Sequence, residues 1–468
     1  MLVMKFGGTS VGDASCFVRV AAIVSSHLQQ QPVVVVSAMS GVTNTLLSLA
    51  RQAQSGDSTV TATPVADLMA RHRAVATQAI TSTTERQKAT MALDGFERDL
   101  TSILTGVCLV REATARSLDA IVSYGEKMSA MLLAAVLRDR GCPARAVSAE
   151  DLIITDSNHG QAVPLIPESN RRITRHVSAV QKSGEVPVIT GFIARSTSGA
   201  TTTLSRGGSD YSASLIGAAL KAEEIWIWTD VDGVLTADPR LVPQARPLAY
   251  LSYAEAAELS YFGAKVLHPR TVAPALGHSI PVWIKNTFNP SAAGTIITAS
   301  RPAAAGASGN GDILRAVTSM AGMSLITVQG AGMIGVPGIA GRVFSAVAAI
   351  GASVMMISQS SSEYNICFVV SKEWHEKVTE AVRREFAYEL KNGDISEVLT
   401  RDIAVLAAVG EGMRGTPGVA GRLFAALGRA GINVVAIAQG SSELNISLVV
   451  EESQRVAAVL CIHQEFIG

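Results

Sequence analysis

Leu2-Val3-Met4-Lys5-Phe6-Gly7-Gly8-Thr9-Ser10 opens the chain with a short apolar strand over Leu2–Phe6, a glycine pair, and a helix start near Val11–Ala14. A strand that passes through a glycine turn into a helix is the repeating unit of a parallel sheet. The same reading recurs downstream. Pro32–Val36 is a run of β-branched residues, as expected of a strand buried on both faces, and Pro187–Thr190 and Ile225–Thr229 resemble it. Between these strands lie helical patterns near 14–30, 64–80, 124–139, 170–182, 209–221 and 252–261. Strands alternating with helices predict a doubly wound α/β domain with a mainly parallel sheet over residues 1–300.

Beyond it, residues 301–312 read Arg-Pro-Ala-Ala-Ala-Gly-Ala-Ser-Gly-Asn-Gly-Asp, a linker composition. An internal repeat follows. Gly332–Val370 and Gly412–Val450 align without a gap at an offset of 80 and share 21 of 39 residues. Each copy begins Gly-Met-x-Gly-x-Pro-Gly-x-Ala-Gly-Arg-x-Phe and ends Ser-Ser-Glu-x-Asn-Ile-x-x-Val-Val. An apolar strand precedes each, Leu325–Val328 and Ile403–Val409. Strand, glycine turn, helix, strand, polar turn, strand is a small α+β sandwich, and an offset of 80 is too long for a solenoid unit. Two paired domains are expected, at 313–395 and 396–468, with Leu314–Met320 a candidate to pack with the second.

Composition narrows the function. Lys+Arg and Asp+Glu are both 39, and no dense basic run exists, which argues against nucleic-acid binding. Five scattered cysteines (Cys16, Cys108, Cys142, Cys367, Cys461), with no C-x-x-C pair, fit a reducing cytoplasm without disulfides or structural zinc. Neither a signal peptide nor a membrane span is expected, and Met128–Leu137 reads as a buried helix.

Chemistry concentrates in turns at strand ends. In Lys5–Ser10, Gly7 and Gly8 let backbone amides approach an anion at a helix start, and Lys5 can neutralise a transferring phosphoryl group. An ordinary turn with a solvent lysine would read the same, and the spacing is not that of a Walker A loop. Ser37-Ala38-Met39-Ser40-Gly41-Val42-Thr43-Asn44 follows a buried strand, where small hydroxyls can hold a substrate or where Ser40 or Thr43 can simply cap a helix. Ser123-Tyr124-Gly125-Glu126-Lys127 has capping-box spacing, yet Glu126 can also bind an ammonium group. Thr201-Thr202-Thr203-Leu204-Ser205-Arg206-Gly207-Gly208-Ser209-Asp210 supplies Arg206 as a carboxylate clamp and Asp210 as an amine ligand or orienting group. Trp228-Thr229-Asp230-Val231-Asp232-Gly233, continuing to Asp238-Pro239-Arg240, can seat a nucleotide and its magnesium. Phe262-Gly263-Ala264-Lys265-Val266-Leu267-His268-Pro269 offers a second cation, Lys265, for the phosphates. No Ser-His-Asp arrangement, metal-ligand spacing or Rossmann G-x-G-x-x-G competes. Together the motifs suggest phosphoryl transfer to an amino acid.

These motifs, in order and spacing, resemble those of the aspartate kinases, within the amino-acid kinase fold, and the C-terminal repeats are similar to ACT domains, which sense amino acids. The resemblance covers essentially all 468 residues. It implies transfer from ATP, with Mg²⁺, to L-aspartate, giving 4-phospho-L-aspartate at the first step of the aspartate-family amino-acid pathway. By the same resemblance Lys5 stabilises the transferring group, and Gly7 and Gly8 meet the phosphates. Ser37, Thr43, Glu126, Arg206 and Asp210 surround aspartate, while Thr229, Asp230, Arg240 and Lys265 line the nucleotide site. Where some relatives carry a tyrosine near the adenine, this chain has Leu235. Ile357-Ser358-Gln359 and Ile437-Ala438-Gln439 resemble effector segments of threonine-sensitive members, so Ile357, Gln359, Ile437 and Gln439 are the candidate effector residues. Threonine is the expected inhibitor, with lysine the alternative. The chain stops at Gly468, so a monofunctional, cytoplasmic enzyme is expected, a homodimer or homotetramer through its ACT domains. A kinase for another amino acid, such as glutamate, and a non-catalytic amino-acid sensor are the competing readings.

Overall fold

The computed structural model describes residues 1–61, 63–205, 207–263, 269–299, 313–360 and 363–468. The segment 301–312, read as a linker, lies outside them. The chain packs as two units. The first comprises Met1–Val234, Pro247–Ala256 and Val266–Ala305; the second comprises Leu235–Arg246, Ala257–Lys265 and Gly306–Gly468.

The strands of the first unit are β1 (Leu2–Phe6), β2 (Pro32–Val36), β3 (Ala144–Val147), β4 (Ile154–Thr155), β5 (Val186–Thr190), β6 (Ile193–Ser196), β7 (Thr201–Thr203), β8 (Glu224–Thr229), β9 (Tyr250–Ser252), β10 (Val282–Asn286) and β11 (Thr295–Thr298). Its helices are α1 (Ala14–Ser25), α2 (Val42–Gln54), α3 (Thr63–Ala79), α4 (Thr83–Val110), α5 (Ala115–Asp139), α6 (Ile166–Lys182), α7 (Gly208–Leu220), α8 (Tyr253–Tyr261, whose second half belongs to the other unit) and α9 (Pro269–Gly277). Eight strands form one sheet in the order β3-β5-β2-β1-β8-β10-β11-β9, parallel throughout except for the β10–β11 pair. All five residues of β1 are buried, and Lys5 stands opposite Val35 of β2 and Ile227 of β8. The apolar runs seen in the sequence are therefore the strands that carry neighbours on both sides. A separate small sheet, β4-β6-β7, has β7 at its edge.

Two capping readings fail in the structure. Ser123 and Glu126 lie two turns inside α5, because Thr114 already caps that helix, accepting from Ser117 N at 3.1 Å. The N-cap of α2 is Gly41, with φ of +80°, so neither Ser40 nor Thr43 caps it. The N-cap of α7 is Gly207, with φ of +75°. Helix α4 was not visible as a helical pattern. Its buried Ala89, Leu93, Leu100, Leu104 and Val107 keep helical spacing, but Gly95, Gly106 and several threonines weaken its intrinsic preference, which tertiary packing overrides.

The second unit adds β12 (Ala316–Gln329), α10 (Ile339–Ala349), β13 (Met356–Gln359), β14 (Asn365–Ser371), α11 (His375–Glu385), α12 (Ala387–Asn392), β15 (Glu397–Val409), α13 (Val419–Arg429), β16 (Ala436–Ala438), β17 (Asn445–Glu451) and α14 (Arg455–Phe466). They build one six-stranded sheet, β13-β14-β12-β15-β17-β16. Strands β12 and β15 are long and antiparallel, so Ala316 meets Val409 at one end and Gln329 meets Glu397 at the other. Each strand serves both repeats. Leu314 and Val317 are buried in the core of the second repeat, and Ile395 and Val398 in the core of the first. The segment Leu235–Arg246 joins this unit through Ala237 and Val242, buried in the second core, and through Thr236, whose hydroxyl is 2.9 Å from His463 Nε2.

Candidate active site

The carboxyl ends of β2, β1, β8 and β10 are laced together by backbone. Gly7 N donates to Trp228 O at 3.1 Å, Ser37 N to Phe6 O at 3.1 Å, Ser40 N to Gly8 O at 3.1 Å, and Thr287 N to Thr229 O at 2.9 Å. Ser10 Oγ bridges Trp228 O at 3.3 Å and Thr287 Oγ1 at 2.7 Å. In this sheet the strand order turns at β1, and ligands of open α/β sheets bind in the crevice at such a point. The Gly8 N–H donates to no carbonyl among the described residues. A Cβ on Gly8 would sit 3.0 Å from Ala38 O, so glycine keeps the turn low against the next loop.

Lys5 projects from the middle of this sheet, only 9% exposed. Its Nζ lies 2.5 Å from Asp210 Oδ1, and that oxygen has no further hydrogen-bond partner among the described residues. Asp210 stands in the first turn of α7, where the helix end favours a negative charge. That helix start is locked to the turn between β5 and β6: a Cβ on Gly208 would lie 2.6 Å from the Phe192 ring, and Phe192 N donates to Ser212 Oγ at 3.1 Å.

Glu126 lies at the middle of α5, 3% exposed. Gly125 brings the helix against the loop after β2; a Cβ there would be 2.7 Å from Ala38 Cβ. The close approach lets Glu126 Oε1 accept from Ala38 N at 3.1 Å. Its Oε2 is buried without a partner among the described residues. Burial pushes the carboxyl up to about 8, against the opposing pull of the Ala38 amide. Ala38 thus touches both the glycine turn and the acidic residue. Ser37 precedes it, and Thr43 follows in the first turn of α2, both half-buried. The role of the Ala38 amide was not readable in the sequence, since a backbone group leaves no residue-type signal.

On the other flank, Thr229 donates to Asp230 Oδ1 at 3.1 Å, and Asp230 is exposed at the end of β8. Asp232, two residues on, is held by Asn286 Nδ2 at 2.8 Å and Asn289 Nδ2 at 3.1 Å. Arg240 belongs to the second unit, where its Nη2 pairs with Asp238 Oδ2 at 2.6 Å. Arg206, Lys265 and His268 lie outside the described residues. No group of three or more His, Cys, Asp or Glu side chains able to hold a metal ion occurs among the described residues. A magnesium ion carried on nucleotide phosphates needs only one or two carboxylates from the protein. Asp230, exposed at the end of β8, fits that demand, whereas the buried Asp210 oxygen is taken by Lys5.

Among the effector candidates, Ile357 and Gln359 lie on β13, Ile437 on β16, and Gln439 just after it. These are the two outer strands of the six-stranded sheet. Ser358 Oγ nonetheless donates to Ile437 O at 3.3 Å, so the two edges meet. Ile357 and Ile437 are 50% and 45% exposed there.

Known proteins share this architecture. The amino acid kinase family matches residues 1–286, and the ACT domain matches residues 326–386 and 406–466. Over 99% of its length the chain is 39% identical to the chloroplastic bifunctional aspartokinase/homoserine dehydrogenase 1 of Arabidopsis thaliana, and it spans 51% of that protein. It thus spans about half the length of the bifunctional relatives it matches. Against the chloroplastic aspartokinase 1 of the same plant it is 33% identical over 99% of its length, covering 80% of that protein. Among solved structures, E. coli aspartokinase III in complex with aspartate and ADP (R-state) superposes over the full length of both chains with a TM-score of 0.84 at 28% identity. The same enzyme in complex with lysine and aspartate (T-state) gives a TM-score of 0.79.

Proposed function

The chain belongs to the aspartokinase branch of the amino acid kinase family, and from that premise we propose that it transfers the γ-phosphoryl group of ATP to the β-carboxylate of L-aspartate. The observation that carries this reading is the Lys5–Asp210 pair together with Glu126, a buried carboxylate one of whose oxygens has no partner among the described residues. A β-carboxylate has a pKa of about 3.9 and is ionised at neutral pH. Its oxygen attacks the γ-phosphorus, the bond to the bridging oxygen of ADP breaks, and the electron pair leaves with ADP. No proton moves, so no protein base is needed. Catalysis rests on positioning and charge neutralisation.

Lys5 neutralises charge on the transferring group, and Gly8 offers its N–H to the phosphates, the Gly7 N–H being spent on Trp228 O. Glu126 receives the substrate ammonium, with Ser37 and Thr43 beside it. Arg206, by its place in the motif, clamps the α-carboxylate. Thr229 and Asp230 border the nucleotide. Magnesium bound to the phosphates would add charge neutralisation, with Asp230 as the carboxylate that would hold it. A hydroxamate assay comparing substrates tests the reading: aspartate should give product and glutamate at most a few per cent of it. Preference for glutamate would overturn it.

The paired repeats act as the sensor, and threonine is the first ligand to test. The Ile-x-Gln segments at 357–359 and 437–439 support it; lysine is the alternative, and E. coli aspartokinase III has been solved with that amino acid. Inhibition requires that the effector bind a low-activity state more tightly than the active one. Exposed Ile357 and Ile437 on the edge strands suit a homo-oligomer formed through the ACT sheet. Titrating kinase activity with threonine, lysine and both decides the effector; activity unmoved by threonine removes it as the inhibitor.

A further inference from the structure

Three consecutive threonines make up β7, and each hydroxyl has its own partner. Thr201 Oγ1 donates to Glu150 Oε1 at 2.5 Å, Thr202 Oγ1 meets Thr155 Oγ1 at 2.8 Å, and Thr203 Oγ1 donates to Asp119 Oδ1 at 2.5 Å. Thr201 and Thr203 lie on one face of the strand, as alternate residues must, and both of their partners are carboxylates. Those carboxylates are themselves tied down. Glu150 Oε2 is 3.1 Å from Lys127 Nζ and accepts from Ser148 Oγ at 3.0 Å. Asp119 Oδ2 accepts from Gly160 N at 3.0 Å and lies 2.8 Å from His159 Nδ1.

The connections converge on one helix. Asp119 and Lys127 are both on α5, the helix that carries Glu126, and Asp119 precedes Glu126 by seven residues, two turns along the same face. Strand β7 is thus bound to α5 directly at Thr203 and through Glu150 and Lys127 at Thr201. From β7 the chain runs through Leu204, whose N–H donates to Phe192 O at 2.9 Å, into α7 and Asp210. As the edge strand of its small sheet, β7 has one strand neighbour, β6, and beyond it, among the described residues, only Ala162 N donates to the strand, to Thr203 O at 3.1 Å.

Burying carboxylates to anchor an edge strand is a poor route to stability, because apolar packing of the same volume avoids the desolvation cost. What carboxylates add is direction: each fixes a hydroxyl at one distance and angle. We propose that Asp119 and Glu150 are positioning residues for the amino-acid half of the active site, holding β7 against α5 so that the chain leading to Asp210 keeps its setting relative to Glu126. The inference rests on the aspartate kinase reading for its kinetic consequence.

The test replaces hydroxyls and leaves the carboxylates their other partners. In the full chain, Thr201→Val/Thr203→Val is compared with Thr201→Ser/Thr203→Ser. The valine pair is near-isosteric and favours a strand. It should raise the aspartate KM about tenfold, the effect of losing about 1.4 kcal/mol of binding, with the ATP KM within about twofold. The serine pair, which keeps both hydroxyls, should restore wild-type values. Hydrogen–deuterium exchange of the segment 201–210 should quicken in the valine pair and not in the serine pair. An unchanged aspartate KM overturns the proposal. So does a parallel rise of both KM values with a lowered Tm, the pattern of a merely structural role. Should the wild-type chain turn over no aspartate, the substrate reading fails by itself; exchange then decides, and an unaltered 201–210 segment overturns the positioning role.

Discussion

Glu126 holds a charge problem that aspartate would solve. Its carboxyl, pushed up to about 8 by burial, is protonated in the empty site at pH 7, whereas an ammonium group needs it ionised. Binding must then release a proton, which weakens affinity about tenfold at pH 7 relative to a fully ionised site. The aspartate KM is therefore expected to fall as pH rises from 6.5 to 8.5. Glu126→Gln should lose this dependence and raise the KM by about 10–100-fold, the cost of a charge-assisted contact; a glutamine variant with a wild-type pH profile would refute the role. Stability runs the other way. Between an unperturbed value of 4.5 and about 8 the folded chain holds a proton that the unfolded chain releases, so this group's contribution to stability falls as pH rises. The Tm of Glu126→Gln should gain on wild type across that window. In the proposed reaction Lys5 acts on the transfer step instead. Lys5→Ala should lower kcat by about 10²–10³ with an aspartate KM within about threefold, and unchanged kcat would exclude it from phosphoryl transfer. Because Asp210 would be left buried without its counter-ion, a loss of about 3–5 kcal/mol in stability should accompany that change.

The site depends on how elements approach one another. Helix α5 meets the loop after β2 only because residue 125 lacks a side chain; a Cβ would fall 2.7 Å from Ala38 Cβ. Gly125→Ala gains about 1 kcal/mol of helix propensity but loses about 1–3 kcal/mol to overpacking, and the clash with a rigid neighbour decides the sign. A lower Tm and a higher aspartate KM are expected, and adding Ala38→Gly should restore both. Failure of the second change to rescue would show that another contact sets the approach. The sequence signalled Gly125 only as part of a motif. Glu126 was legible as a candidate ammonium ligand, but equally as half of a capping box. What separates the two is Thr114, twelve residues earlier, which starts the helix and places Glu126 in its interior. Local spacing carries no information on where a helix begins when two starts are chemically acceptable.

Over the whole chain, the 80-residue repeat resolves into domains that do not close their own cores. Strands β12 and β15 each cross from one core to the other, and Leu314 and Val398 are buried across the repeat boundary. A fragment of residues 313–395, lacking Val398 and the paired β15, should remain unfolded by circular dichroism and proteolysis, while 313–468 should unfold in one cooperative transition. A folded 313–395 would show that each repeat is self-sufficient. Segments before residue 300 also join this unit, with Ala237 and Val242 in its second core and Asn445 hydrogen-bonded to Glu258.

The sequence alone determined the parallel sheet, the order of its strand-end turns, the duplicated C-terminal domain and the identity of the charged groups. Each of these is written in local periodicity or in residue type, and needs no knowledge of what lies opposite. Only the tertiary structure decided that Lys5 pairs with Asp210 across 205 positions of chain, that Glu126 is desolvated with one oxygen unpartnered among the described residues, that the threonines before Arg206 are clamped to α5, and that β12 and β15 each serve two cores. Lys5 and Asp210 illustrate the physical reason. Burial and pairing are properties of neighbours distant in sequence, and the free energy of a charge depends on them far more than on the residues beside it.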